Sequence, residues 1–233
     1  MRHHPSHPPI TLTPVHNEHP DNDTMTTVPD IPLPRPFTLN DINVGSKLYA
    51  VLVRYAATHP GKSIFYGELL EQARTMFSED AEVKRAVPIG IGMKLLFVEA
   101  FCNRNAYPNL ACLAVNKSDE TPGGGFTGNW LQQMREVAAF DWSAAQPALD
   151  AWVTHSIKAA TPLKRRKETE ARELLFAHFR QHRDAYKDFS EDDREEMVSL
   201  LMEGLDVDVA LRTVLDAKAA LARANTLLVG AAP

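Results

Sequence analysis

GKSIFYGELLEQARTMF (residues 61–77) decides how this chain folds. Ser63-Ile64-Phe65 has the character of a short strand. It follows a His59-Pro60-Gly61 breaker and leads into Tyr66-Gly67-Glu68-Leu69-Leu70, which opens a helix running to about Phe77. An apolar run from 83 to 106 predicts a second, longer helix. Pro88 lies inside that run, and an interior proline removes a hydrogen bond and clashes with the preceding turn, so a helix start near Val87 or Pro88, or a kink, is expected there. Gly90 and Gly92 would let another helix or a ligand backbone come close. In NLACLAVNK (109–117), residues 110–115 form an apolar run short enough for a strand. The polar, glycine-rich continuation through TPGGGF (121–126) suits a hairpin tip or wing. Strand, helix, longer helix, strand and flexible loop is the element order of a winged helix-turn-helix. The predicted fold is therefore mainly α with a small β component: a winged-helix-like domain over 37–142 and a helical C-terminal region over 143–233.

Before the central stretch, Asn40 or Asp41 is placed to cap a helix carrying Val44, Leu48, Val51, Leu52 and Tyr55 at helical spacing. Residues 1–36 are rich in Pro, His, Thr and Asp and poor in large apolar side chains, so they are expected to be a disordered tail. His3, His4, His7, His16 and His19 lack the spacing of a ligand set, and Met25 is an alternative start. Beyond the central stretch, amphipathic patterns predict helices over 130–140, 148–159, 163–187, 190–203 and 207–228. Ser190 with Asp193 forms a capping pattern, and Gly204 is a stop signal.

The 233 residues carry a formal net charge of -5, which opposes indiscriminate nucleic-acid binding. The charges are segregated, with Lys164, Arg165, Arg166 and Lys167 forming a basic run and Glu191, Asp192, Asp193, Glu195 and Glu196 an acidic one. No apolar run reaches the roughly 20 residues of a membrane span and no secretory signal is visible, so a cytoplasmic location without membrane contact is expected. Cys102 and Cys112 sit in apolar surroundings as buried small hydrophobes. No metal or cofactor motif is complete: His178 and His182 are one helical turn apart without a HExxH pattern, and TPGGGF lacks the Lys-Ser/Thr of a phosphate loop. Asp141 and Trp142 fit a tryptophan anchoring the helical extension.

GKSIFYGEL (61–69) followed by KRAV (84–87), a proline-containing loop, an apolar strand and a glycine-rich tail resembles the DNA-binding half of the O6-alkylguanine-DNA alkyltransferases and alkyltransferase-like proteins, over the middle third of the chain. The resemblance implies that Tyr66 helps rotate a nucleotide out of the duplex and that Arg85 fills the vacated space. The family's acceptor cysteine stands in Pro-Cys-His-Arg. Here the strand reads Ala111-Cys112-Leu113-Ala114, so nothing beside Cys112 would lower its pKa, and an inert thiol is expected. The interval between Tyr66 and Arg85 and the segment 95–107 are also longer than the family's. Both residues equally fit structural roles, as a core aromatic and a solvated helix-start charge.

These features predict a non-catalytic, cofactor-free DNA-binding protein contacting nucleic acid through Tyr66, Lys84, Arg85 and Lys117, with Lys164, Arg165, Arg166 and Lys167 adding to the footprint. The alternative is a protein-interaction module, such as a regulatory or inhibitory factor of a phage or mobile element, acting through its C-terminal helices. An alkyl-accepting repair protein comes third.

Overall fold

The computed structural model describes residues 35–229 except 124, 125, 127, 161 and 162, together with the side chains up to residue 222. Most of the proline- and histidine-rich segment and the tip of the glycine-rich loop lie outside the described residues. Helix α1 (Leu39–Thr58) begins at a capping box in which Thr38, upstream of the expected caps Asn40 and Asp41, is the N-cap. The Asp41 amide donates to the Thr38 hydroxyl at 3.1 Å, and the Asp41 carboxylate accepts from the Thr38 amide at 3.0 Å. Asp41 is therefore the third helical residue and is fully buried.

The central stretch folds as β1 (Ile64–Phe65), α2 (Tyr66–Met76), α3 (Ala81–Arg85), a 3-10 turn at Pro88–Gly90, and α4 (Ile91–Arg104). Pro88 breaks the long apolar run as its chemistry requires: it opens the 3-10 turn, where no intrahelical partner is lost. The predicted strand over 110–115 is mostly a 3-10 turn (Leu110–Leu113), and only Ala114–Val115 remains as β2. β2 runs parallel to β1, pairing Ile64 with Ala114 and Phe65 with Val115. Antiparallel pairing, which a hairpin wing needs, is absent among the described residues. The fold is mainly α with a small β component.

Helices α5 (Trp130–Ala139) and α6 (Gln146–Ala159) complete the first layer, and α7 (Glu168–Gln181), α8 (Glu191–Met202) and α9 (Val207–Val229) form the second. The predicted helix over 163–187 is shorter because 163–167 lacks helical structure and the chain passes into a 3-10 turn at Arg183–Tyr186. Ser190 and Asp193 form the expected capping box, and Gly204 closes the following turn at φ +94°. Two cores follow. The first runs from Val44 to Leu149 and takes in Trp152 and Val153, so α6 belongs with the N-terminal elements rather than with the C-terminal region. The second spans Ala171 to Val214. Trp142 packs edge-on against Tyr49 and donates its indole N–H to the Val137 carbonyl at 3.2 Å, holding α5 onto the first core.

Charge joins the two layers. Lys94 on α4, only 1 % exposed, lies 3.7 Å from Asp41 on α1 and 3.4 Å from Glu196 on α8. Arg35 supplies Asp41 with a second cation at 2.5 Å. Glu196 packs where Gly90 has no side chain, since a Cβ at 90 would stand 1.9 Å from its carboxylate. Gly90 is also the residue before α4, which no side chain caps, so the carboxylate sits against a bare helix start. Glu203 accepts from the Asn40 amide at 3.1 Å, and Arg165 bridges Glu203 at 2.7 Å and Glu82 at 2.5 Å.

Candidate functional site

Parallel strands leave a sheet at the same end. The register Phe65 with Val115 therefore sends Tyr66 and Gly67, opening α2, out beside Asn116 and Lys117. Between them lies a groove of about 950 Å³, lined by Phe65, Tyr66, Gly67, Glu68, Asn116 and Lys117 among others. It adjoins a more apolar cavity of about 140 Å³ bounded by Leu95, Ala111, Ala114, Phe126 and Leu221, the two sharing Tyr66.

Tyr66 is buried, and its hydroxyl oxygen accepts from the Gly123 amide at 2.7 Å. Burial pushes its pKa up to about 12, so the hydroxyl keeps its proton at neutral pH and has it available to donate. Asn116 is 5 % exposed and anchors a turn: its Oδ1 accepts from the Ser118 amide at 2.7 Å, the Asp119 amide at 3.3 Å and the Ser118 hydroxyl. Three donors on Oδ1 fix the amide's orientation, and the buried Nδ2 is left without a hydrogen-bond partner. No side chain caps α2 either.

The eight residues expected to form a polyanion surface fall into separate groups. Tyr66 and Lys117 share the groove. Arg85, in α3, is half-buried and paired with Glu168 of α7 at 3.1 Å, and Glu168 is also held by Arg172. These two arginines hold the Glu168 carboxyl below the usual glutamate range, the hydrogen bond from Arg172 being the larger influence. Arg165 is taken by Glu82 and Glu203, and Arg166 donates to the Leu201 and Leu205 carbonyls at 2.9 and 2.8 Å. Lys84, Lys164 and Lys167 are exposed with no ion pair among the described residues. Carboxylates thus take up Arg85 and Arg165, and backbone carbonyls take up Arg166, leaving the lysines as the unpaired part of the expected basic footprint among the described residues.

Cys112 is fully buried, and desolvation pushes its thiol up to about 12, the protonated and unreactive form. His178 stacks on His182, and its ring nitrogens lie 2.6 Å from the Tyr186 hydroxyl and 3.2 Å from Asp208. No group of three potential metal ligands occurs among the described residues. No helix of these residues is long and apolar enough to cross a membrane.

Sequence reasoning passed over Asn116 and Lys94, and placed Glu196 only in an acidic run, whereas it is buried against Lys94. Lys94 had a signal, as a lone cation inside IGMKLLFV four residues after a glycine. Asn116 had none beyond its place after a short apolar run. The chain matches no protein-family model, no curated protein and no solved structure.

Proposed function

We propose that the protein is a non-catalytic protein-interaction module that docks an acidic amphipathic helix on the outer side of α7. The observation carrying this reading is Phe176, 61 % exposed in the middle of a well-formed helix. Phe179 is one turn on and partly exposed, Arg180 lies 6.0 Å over the Phe176 ring, and exposed Arg183 follows just past the helix end. Ala171 and Leu175 face the second core, so nothing in that core requires an aromatic residue at 176. Exposed aromatic side chains beside arginines are typical of binding anchors. The cationic flank selects a partner of opposite sign, an apolar helix face edged by Asp and Glu.

The test uses the full chain and fluorescence anisotropy of synthetic amphipathic helices sharing one apolar face but bearing acidic, neutral or basic polar faces. The acidic peptide should bind tightest, and Phe176→Ala with Phe179→Ala should weaken it by about tenfold or more, ~1.4 kcal/mol. Equal binding of all three peptides, or indifference to the double substitution, would refute the assignment.

Nucleic-acid binding is the second reading. It is favoured by one observation, the hydrogen-bond donors around the groove between Tyr66 and Lys117.

A further inference from the structure

We infer that the groove beside the start of α2 is an oxyanion site that takes a phosphate group, with Asn116 Nδ2, the first amides of α2 and Lys117 as its donors. This inference does not depend on the docking role of α7.

Four independent features converge there. Asn116 lines the groove with its oxygen committed to the turn and a buried, unpartnered NH2 end. A buried donor without a partner costs on the order of 1–3 kcal/mol, which an acceptor in the groove would recover. Helix α2 spans 11 residues and starts without a side-chain cap, so its first amides and positive dipole end are open to an anion. Gly67, its second residue, has an ordinary φ, and a Cβ there would meet nothing within 4 Å. Neither backbone conformation nor crowding demands glycine at 67. Its presence leaves the helix start bare, which suits close approach of a ligand. Lys117, exposed at the groove's edge, adds a full positive charge.

Two carboxylates also line the groove. Glu71 is paired with Arg74 at 2.5 Å, which leaves Glu68, exposed and without an ion pair among the described residues, as the repulsive element. Its removal should strengthen binding.

Two sources present this chemistry, a free phosphate ester and the phosphodiester of a single-stranded nucleic acid. The test is an NMR titration of the full chain in two arms, inorganic phosphate and a dT10 oligonucleotide, at constant ionic strength. Saturable shifts are expected at the Gly67 and Glu68 amides and at the Asn116 side-chain NH2 in the phosphate arm. Asn116→Asp keeps the oxygen that the turn needs while reversing the donor, and should weaken phosphate by about tenfold or more. Gly67→Ala should preserve folding and weaken phosphate, and Glu68→Gln should tighten it. Saturation by dT10 with the same residues shifting would assign the backbone as the source. Saturation by phosphate alone would leave the site standing for small phosphate esters and end the nucleic-acid reading. Binding of dT10 unaffected by Asn116→Asp would overturn the site while sparing that reading. Absence of saturable shifts in both arms would overturn the site as well.

Discussion

Lys94→Met should cost the folded state about 3 kcal/mol, the low end of the range for breaking a buried ion pair. Lys94 is sealed between Asp41 and Glu196, so its loss leaves two carboxylates out of contact with water and one shared cation fewer. Arg35 still holds Asp41, which keeps the cost from the top of that range. Among the described residues Glu196 has no second ion-pair partner, so it must take up a proton or leave the Gly90 niche. Combining Lys94→Met with Glu196→Leu should therefore recover most of the loss, because the charge left stranded is then gone as well. Urea denaturation followed by tryptophan fluorescence reads both. A Lys94→Met chain within about 0.5 kcal/mol of the parent, the scatter of ordinary surface substitutions, would show that the three charges do not hold the layers together.

The same cluster dictates how stability changes with pH. Desolvation raises the Glu196 carboxyl above the ordinary glutamate value, with Lys94 opposing and Asp41 reinforcing the shift. The folded chain thus keeps a proton on Glu196 over a window in which the unfolded chain has released it, and stability in that window falls as pH rises. Glu203 shares this sign through its own burial, which Arg165 opposes. Asp41 has the opposite sign. Burial works against its charge, but Lys94, Arg35 and the Thr38 amide outweigh it and hold the carboxyl below the usual range. Its contribution is lost as pH drops below the ordinary aspartate value. Stability should therefore peak in mildly acidic solution and decline toward neutral. Glu196→Gln removes one of these two buried titrations and should flatten that decline, leaving the slope from Glu203. An unchanged slope would place the responsible proton elsewhere.

Local signals made much of the fold legible. The breaker at 59–61, the proline at 88 and the Ser190–Asp193 cap each act within a few residues, and each ends or starts an element near where it was expected. The first cap shifted to Thr38 because the Asp41 carboxylate closes the box from the third helical position. The strand over 110–115 was not legible: Asn109 caps a 3-10 turn through the Ala111 amide at 3.1 Å, and that local bond outcompetes the extended form that an apolar run favours. Parallel pairing of β1 with β2 is a long-range choice that neither strand encodes in its two residues.

The candidate site was legible only in part. Tyr66 and Lys117 do line one groove, because the two strands leave the sheet together. Arg85 and Arg165 are distinguished from free surface cations by partners 83 positions away in each case, Glu168 for one and Glu82 for the other. No window of sequence reveals such a pairing.

Duplex DNA affinity measured across a salt series, for the parent chain and for Arg85→Glu, tests most directly whether internal pairing withholds Arg85 from a polyanion. Internal pairing predicts weak binding with a shallow salt dependence and little difference between the two chains. Tight binding that falls steeply with salt and is largely abolished by Arg85→Glu would contradict it, and would return the arginines to a polyanion.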